Sequence, residues 1–244
     1  MLSRRTALLI LASPWAGAAW AAPPAWVSGE VPPYVWRGDQ GPEGYAFELF
    51  QRVTREAGVG AALHFYPWAR ALRMLEARQA HAALVITRTP DREAQFRWLF
   101  PVGSFRFALV TRADGPASSD VAALRAHRVG SMRASVSRGM LDAAGVAQVV
   151  EGKDYAELLA LLHRGIVDAV IGPDAVMRSL DTRGPGADPL RVTLMDVTHE
   201  LYAAAGPAMP EGAVQRVRAA YQQLADTGAV AALRRRHPGL FADE

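Results

Sequence analysis

Twice along this chain a short β-type run leads into an amphipathic helix, and the helix into an apolar run with no polar face. Such an order closes most simply as parallel strands joined by crossover helices, which excludes all-helical and all-β architectures. In the first copy, residues 25–28 read as a strand. Ala46, Leu49, Phe50, Val53 and Ala57 then mark one face of a helix closed by Gly58. Residues 63–66 follow as a strand, Trp68, Leu72 and Leu75 as a helix face, and 82–87 as a strand buried on both sides. In the second copy, strand 128–131 precedes a helix over 136–144 ended by Gly145, then a short strand over 148–150. Asp154 and Glu157 form a capping box for a helix whose face is Tyr155, Leu158, Leu159 and Leu162; Gly165 stops it and 167–171 is again a buried strand.

The two copies echo each other residue by residue. Leu75 to Ala82 parallels Leu162 to Ala169, with Arg78 opposite Gly165 and His81 opposite Asp168. Each leads into a strand whose carboxyl end is where open α/β sheets bind ligands. Two such ends facing one another predict two lobes around one cleft. His81 reads as a satisfied turn histidine, with a pH-sensitive group as the alternative. The tail returns to helix through Val214, Val217, Tyr221 and Leu224, broken at Gly228 and resumed by Val230 and Leu233. The Gly/Pro/Ser-rich stretch 111–119 is the expected passage between lobes, and 183–189 a surface loop.

Composition narrows the function. With half of its 244 residues hydrophobic and only 21% charged, the chain has enough apolar surface to fold. The absence of cysteine excludes disulfide scaffolds, thiolate metal sites and a cysteine nucleophile. The basic pI of 9.6 is misleading. Arg4 and Arg5 belong to a leader, and without them 25 basic residues face 24 acidic ones. The Arg234-Arg235-Arg236 triplet suits a helix end better than a phosphate track, so no nucleic-acid partner is expected.

That leader has a charged start (Ser3-Arg4-Arg5-Thr6), a short apolar run over 7–12, and Ala19-Trp20-Ala21 as a cleavage site. Residues 1–21 are therefore read as a signal peptide cleaved after Ala21, by the general or the twin-arginine route, and the mature chain as periplasmic. No metal and no cofactor is expected.

Gly44-Tyr45-Ala46-Phe47-Glu48-Leu49, Thr89-Pro90-Asp91-Arg92-Glu93 before Phe96 and Pro101, and Gly165-Ile166-Val167-Asp168-Ala169 occur in an order and spacing that resemble the bacterial extracellular solute-binding proteins of family 3. Tyr66-Pro67-Trp68 with Arg70-Ala71-Leu72 looks like one branch of that family. The resemblance implies a two-lobed, type II periplasmic-binding α/β fold with a mostly parallel sheet in each lobe. Lobe 1 is then 22–108 and 199–244, lobe 2 is 109–198, and hinges fall near 107–110 and 197–201. It also implies a monomer that captures a small carboxylate-bearing solute, such as a polar amino acid, for an ABC permease in the inner membrane.

Seven residues are candidates for the ligand site. Arg92 falls at the family's carboxylate arginine, with Thr89 as an N-cap and Pro90 first in the following turn, so that free N–H groups aim at the same anion. Thr87, at a strand end, would reach the same carboxylate or simply end its strand. Ser135 would contact the ligand or cap its helix, with Ala134 in place of the family's glycine. Tyr34 resembles the aromatic that covers the ligand; Trp68 would do likewise or belong to the core. Glu30 is a cation partner. The family's ammonium-binding Asp is replaced by Pro173, so either Asp174 shifts into the site or the ligand lacks an α-amino group.

Two other functions compete. A dehydratase-like enzyme in the cleft would need Glu30, His81 or Asp174 as acid or base, yet the histidines show no metal spacing and no nucleophile elbow or phosphate loop occurs. No catalytic residue is assigned. A sensory or accessory binding module is the other alternative.

Overall fold

A computed structural model describes residues 25–116, 118–180 and 189–241. The expected leader and almost all of the 183–189 loop lie outside the described residues.

The first unit runs β1 (Ala25–Ser28), a small hairpin of β2 (Trp36–Gly38) and β3 (Gly41–Glu43), α1 (Tyr45–Glu56), β4 (Ala62–Phe65), α2 (Trp68–Glu76) and β5 (Ala82–Arg88). α1 starts where only glycine fits. Gly44 has φ 106, and a Cβ there would lie 2.4 Å from the Tyr34 carbonyl oxygen. Tyr45, Ala46, Leu49, Phe50 and Val53 form its buried stripe, and Gly58 at φ 60 ends it.

The second unit has β6 (Arg97–Thr111), β7 (Val129–Met132), α3 (Val136–Ala143), β8 (Val149–Gly152), α4 (Tyr155–His163), β9 (Ala169–Pro173) and α5 (Asp174–Leu180). At α4, the Asp154 carboxylate accepts from the Glu157 N–H at 2.8 Å, and the Glu157 carboxylate accepts from the Lys153 N–H at 2.8 Å. The return bond of the expected capping box is therefore made one residue early. The strand expected over 167–171 begins later, at Ala169, and runs to Pro173. The chain ends with β10 (Arg191–Ala205), α6 (Glu211–Asp226) and α7 (Ala229–Arg234).

These strands form one sheet in the order β4-β1-β5-β10-β6-β9-β7-β8. β4, β1 and β5 are mutually parallel, as are β8, β7 and β9. The two 15-residue strands β6 and β10, each roughly 50 Å long at ~3.4 Å per residue, lie antiparallel to one another and join the lobes. β6 begins to pair with β9 at Phe107. Near that point β10 carries extra residues between Leu194, opposite Ala108, and Thr198, opposite Arg106. A continuous strand thus makes the passage into the second lobe, and the stretch from Thr111, expected to do so, follows the last β6–β9 pair instead.

The tail helices cover the first lobe. Tyr221 stacks on Phe100 with centroids 5.6 Å apart, and the Arg218 guanidinium donates to the Trp98 carbonyl at 2.8 Å. Tyr34 is fully buried, and its hydroxyl donates to the Leu240 carbonyl at 3.0 Å.

Candidate functional site

The carboxyl ends of β5 and β7 face each other across the gap between the lobes. An inner cavity of about 40 Å³ lies there, lined by Trp68, Thr87 and Arg92 from one side and by Ser135, Tyr155 and Pro173 from the other. An outer cavity of about 370 Å³ shares Trp68, Met132 and Tyr155 with it and opens toward Glu30, Tyr66 and Lys153.

Arg92 is 8% exposed. Its Nη1 donates to the Thr87 carbonyl at 3.1 Å and its Nη2 to the Ala134 carbonyl at 3.4 Å. Burial pushes its pKa below the ordinary guanidinium value, with Asp91 and Glu76 opposing this through space. No carboxylate among the described residues pairs with it, and it is the one charged side chain among those lining the inner cavity. A buried cation held only by carbonyls lacks its counter-charge, and burying a charge is costly unless it is paired.

Thr89 precedes the 3₁₀ turn Pro90–Arg92 as expected, but its hydroxyl makes no capping bond and is buried without a partner among the described residues. The Arg92 N–H donates back to the Thr89 carbonyl at 3.0 Å. Within this turn the Arg92 amide is therefore committed to the backbone. The Arg92 side chain is the charged group that reaches the inner cavity.

Two residues of the site adopt left-handed backbone without being glycine. Val85, at φ 63, sits on β5 where the register with β10 shifts between Tyr202 and Ala204. The bulge swings its side chain into the inner cavity. Ala134, at φ 57, turns its carbonyl toward the opposite lobe, where it accepts from Trp68 Nε1 at 3.1 Å as well as from Arg92. Each conformation costs of order 1–2 kcal/mol for an L-residue, strain of the kind that gathers at binding sites.

Ser135 combines a helix cap with a place at the cavity wall. It caps α3, accepting from the Arg138 N–H at 3.3 Å, donates to the Met132 carbonyl at 2.6 Å, and still lines the cavity. Trp68 is a cleft wall whose indole bridges the lobes. Thr87 reaches the cavity, and its carbonyl steadies Arg92. Glu30 stands in the outer cavity, paired with Arg37 at 3.2 Å. Two of the candidates stand away from both cavities. Tyr34 is enclosed under the tail and lines neither cavity, because its position after β1 points it into the first-lobe core. Asp174 starts α5 and is drawn to Arg178 one turn along, leaving Pro173 at the cavity wall.

Sequence reading missed Tyr155, Phe105 and Phe107. Tyr155 had been counted with the apolar face of α4. Standing first in that helix, at the carboxyl end of β8, it reaches both cavities instead. Burial raises its hydroxyl pKa well above the ordinary value, so it is a neutral donor. Phe105 and Phe107 alternate on the crossing strand β6, a period-2 signal that would place both on the cavity side.

The model of the bacterial extracellular solute-binding proteins, family 3, matches residues 25–239, and the chain belongs to that family. No curated protein matches the sequence. Among solved structures, a histidine kinase sensor domain with similarity to periplasmic binding proteins has TM-score 0.81 at 20% identity, over 89% of this chain and 97% of that one. An ancestral arginine-binding protein bound to glutamine gives 0.76 at 17% identity, over 89% and 99%. The arginine-, lysine-, histidine-binding protein ArtJ from Geobacillus stearothermophilus gives 0.77 at 16%, over 88% and 95%. At these identities the likeness establishes the type II periplasmic-binding fold. The family is one of solute-binding proteins, and two of these neighbours are amino-acid-binding proteins by name.

Proposed function

We propose that this family member captures a small carboxylate-bearing solute between its lobes and hands it to an ABC permease in the inner membrane. The observation that carries this reading is Arg92, a buried guanidinium with carbonyl partners only, at the floor of a cavity that both lobes line. A carboxylate would supply the missing charge through paired N–H···O bonds. Thr87 offers a neutral hydroxyl on one side and Ser135 a second, already donating to Met132, on the other; Trp68 is the wall, and Glu30 faces the outer end. The lobes comprise 22–108 with 199–244, and 109–198, after a signal peptide over 1–21 that delivers a monomer to the periplasm. Closure is a hinge movement on β6 and β10, and its free energy comes from contacts made to both lobes at once. No catalytic step is assigned to the cleft.

A second reading, a ligand-sensing module reporting to a membrane kinase, is favoured by the TM-score of 0.81 to a sensor domain. Both readings use the same site and differ in the membrane partner, which co-purification from membranes would identify.

A thermal-shift screen of carboxylates, amino acids, opines and aromatic acids tests the shared claim. At a hundredfold excess over Kd a ligand stabilises by ~2.7 kcal/mol, or about 5–10 °C for a chain of this size. Arg92→Ala should abolish that shift while retaining the fold; an unchanged shift overturns the assignment.

A further inference from the structure

Resting on the reading of Arg92 as a carboxylate anchor, the composition of the cavity wall narrows what the carboxylate is attached to. Around the inner cavity stand Trp68, Val85, Phe107, Tyr155, Pro173 and Leu201, with Arg92 the one charged side chain among the lining residues. A free α-amino acid would bring an ammonium into this space next to its carboxylate, and therefore close to the guanidinium. No carboxylate among the described residues lines the inner cavity to answer that second charge. Asp174, next in sequence to Pro173 at the wall, is engaged by Arg178, and Glu93, next to Arg92, by Arg88. Of the acids at the outer cavity, Glu30 is paired with Arg37 at 3.2 Å and Asp154 accepts from the Glu157 N–H at 2.8 Å. The nearby carbonyls carry no charge to neutralise it, and several are already in use. Those of Thr87 and Ala134 already accept from Arg92, that of Ala134 also from Trp68, and that of Met132 accepts from Ser135. The remaining polar groups at the wall, the hydroxyls of Thr87, Ser135 and Tyr155, are neutral.

We infer that the ligand is a carboxylate without an ammonium on the neighbouring carbon, its uncharged apolar or aromatic body running past Trp68 and Tyr155 into the outer cavity. The dimensions fit this orientation. The inner cavity, about 40 Å³, takes little more than a carboxylate head, whereas the outer one, about 370 Å³, takes a ring or a six-carbon chain. A hydroxyl or keto oxygen beside the carboxylate is compatible with the three neutral hydroxyls. The class differs from that in the name of the arginine-, lysine-, histidine-binding protein, which shares the fold.

Matched pairs that differ only in the ammonium test this on the mature chain by calorimetric titration: 3-phenylpropionate against L-phenylalanine, and hexanoate against L-norleucine. An uncompensated buried charge costs several kcal/mol, so the deaminated acid of each pair should bind at least ~100-fold more tightly. Pro173→Asp, which would place a carboxylate at the wall, should shrink that ratio at least ~10-fold. Equal or tighter binding of the amino acids overturns the inference and leaves the carboxylate anchor standing. Silence from both acids also overturns it, and the Arg92→Ala comparison in the broader screen then decides separately whether an anion binds there at all.

Discussion

The strands β5 and β9, which run to the cleft in the first and second lobes, start from the same clamp. In the first lobe the His81 N–H donates to the Ala25 carbonyl at 2.8 Å, and His81 Nδ1 accepts from the Ala25 N–H at 3.1 Å. In the second the Asp168 N–H donates to the Arg128 carbonyl at 2.8 Å, and the Asp168 carboxylate accepts from the Arg128 N–H at 2.8 Å. One turn earlier each chain passes through a left-handed residue, Arg78 at φ 62 and Gly165 at φ 68. The scaffold is duplicated to the level of single hydrogen bonds. The chemistry at the other end of the strand is not: β5 leads to a buried arginine with no carboxylate partner among the described residues, while β9 leads to a proline and an acid turned into its own helix. A repeated backbone can therefore deliver one charged and one neutral wall to the same cleft, and that asymmetry sets what the cleft accepts.

Breaking the clamps should show how far the repeat extends in energy. Asp168→Ala removes an acceptor that serves the Arg128 amide and also its guanidinium at 2.6 Å, and should lower stability by about 1–2 kcal/mol. His81→Ala removes the side-chain acceptor of the Ala25 N–H and should cost about 1 kcal/mol. Chemical denaturation would measure both, and a reversed order would mean that the two clamps are not equivalent devices. Asp168 also adds a dependence on acid. The bond from Arg128 holds its carboxyl below the ordinary 3.8. Its contribution is thus complete above that value and is lost as pH falls through the lower folded value.

The turns sharpen the comparison through opposite signs. Gly165→Ala should destabilise by about 1 kcal/mol through conformation, since a Cβ there would meet only the tip of Arg112 at 3.8 Å. Arg78→Gly relieves the same strain in the other lobe and should be neutral or stabilising by up to about 1 kcal/mol. Thermal denaturation of both variants checks the pair.

The smallest expected effect lies on the crossing. His199 is packed between Phe105 and Phe107, with ring centroids 5.5 and 4.9 Å away, and its Nε2 has no partner among the described residues. Desolvation pushes its pKa below the ordinary 6.5. The unfolded chain then takes up a proton that the folded one refuses, so stability should decline as pH drops below about 6.5. His199→Phe should flatten that slope in melting curves recorded from pH 7 to 5.

Periodicity made the repeat legible, because alternating apolar runs and helix faces depend on local pattern alone. The place of Arg92 at the cleft was legible too, through the Thr89-Pro90-Asp91-Arg92 segment on which the family resemblance rests. Tyr34 was not, since its burial depends on Leu240, at the far end of the chain. Nor were the left-handed Val85 and Ala134, whose backbone is imposed by the β10 register and by the Trp68 and Arg92 bonds from the other lobe. The fate of Asp174 turned on whether a helix began at it, a boundary one residue wide.

The central claim, that the two matched strand ends supply one cation and no anion to the cleft, is tested most directly by a crystal structure with 3-phenylpropionate. The account predicts both carboxylate oxygens on the Arg92 guanidinium and the ring between Trp68 and Tyr155. Density that leaves Arg92 on its carbonyls alone, with the acid bound elsewhere, would contradict it.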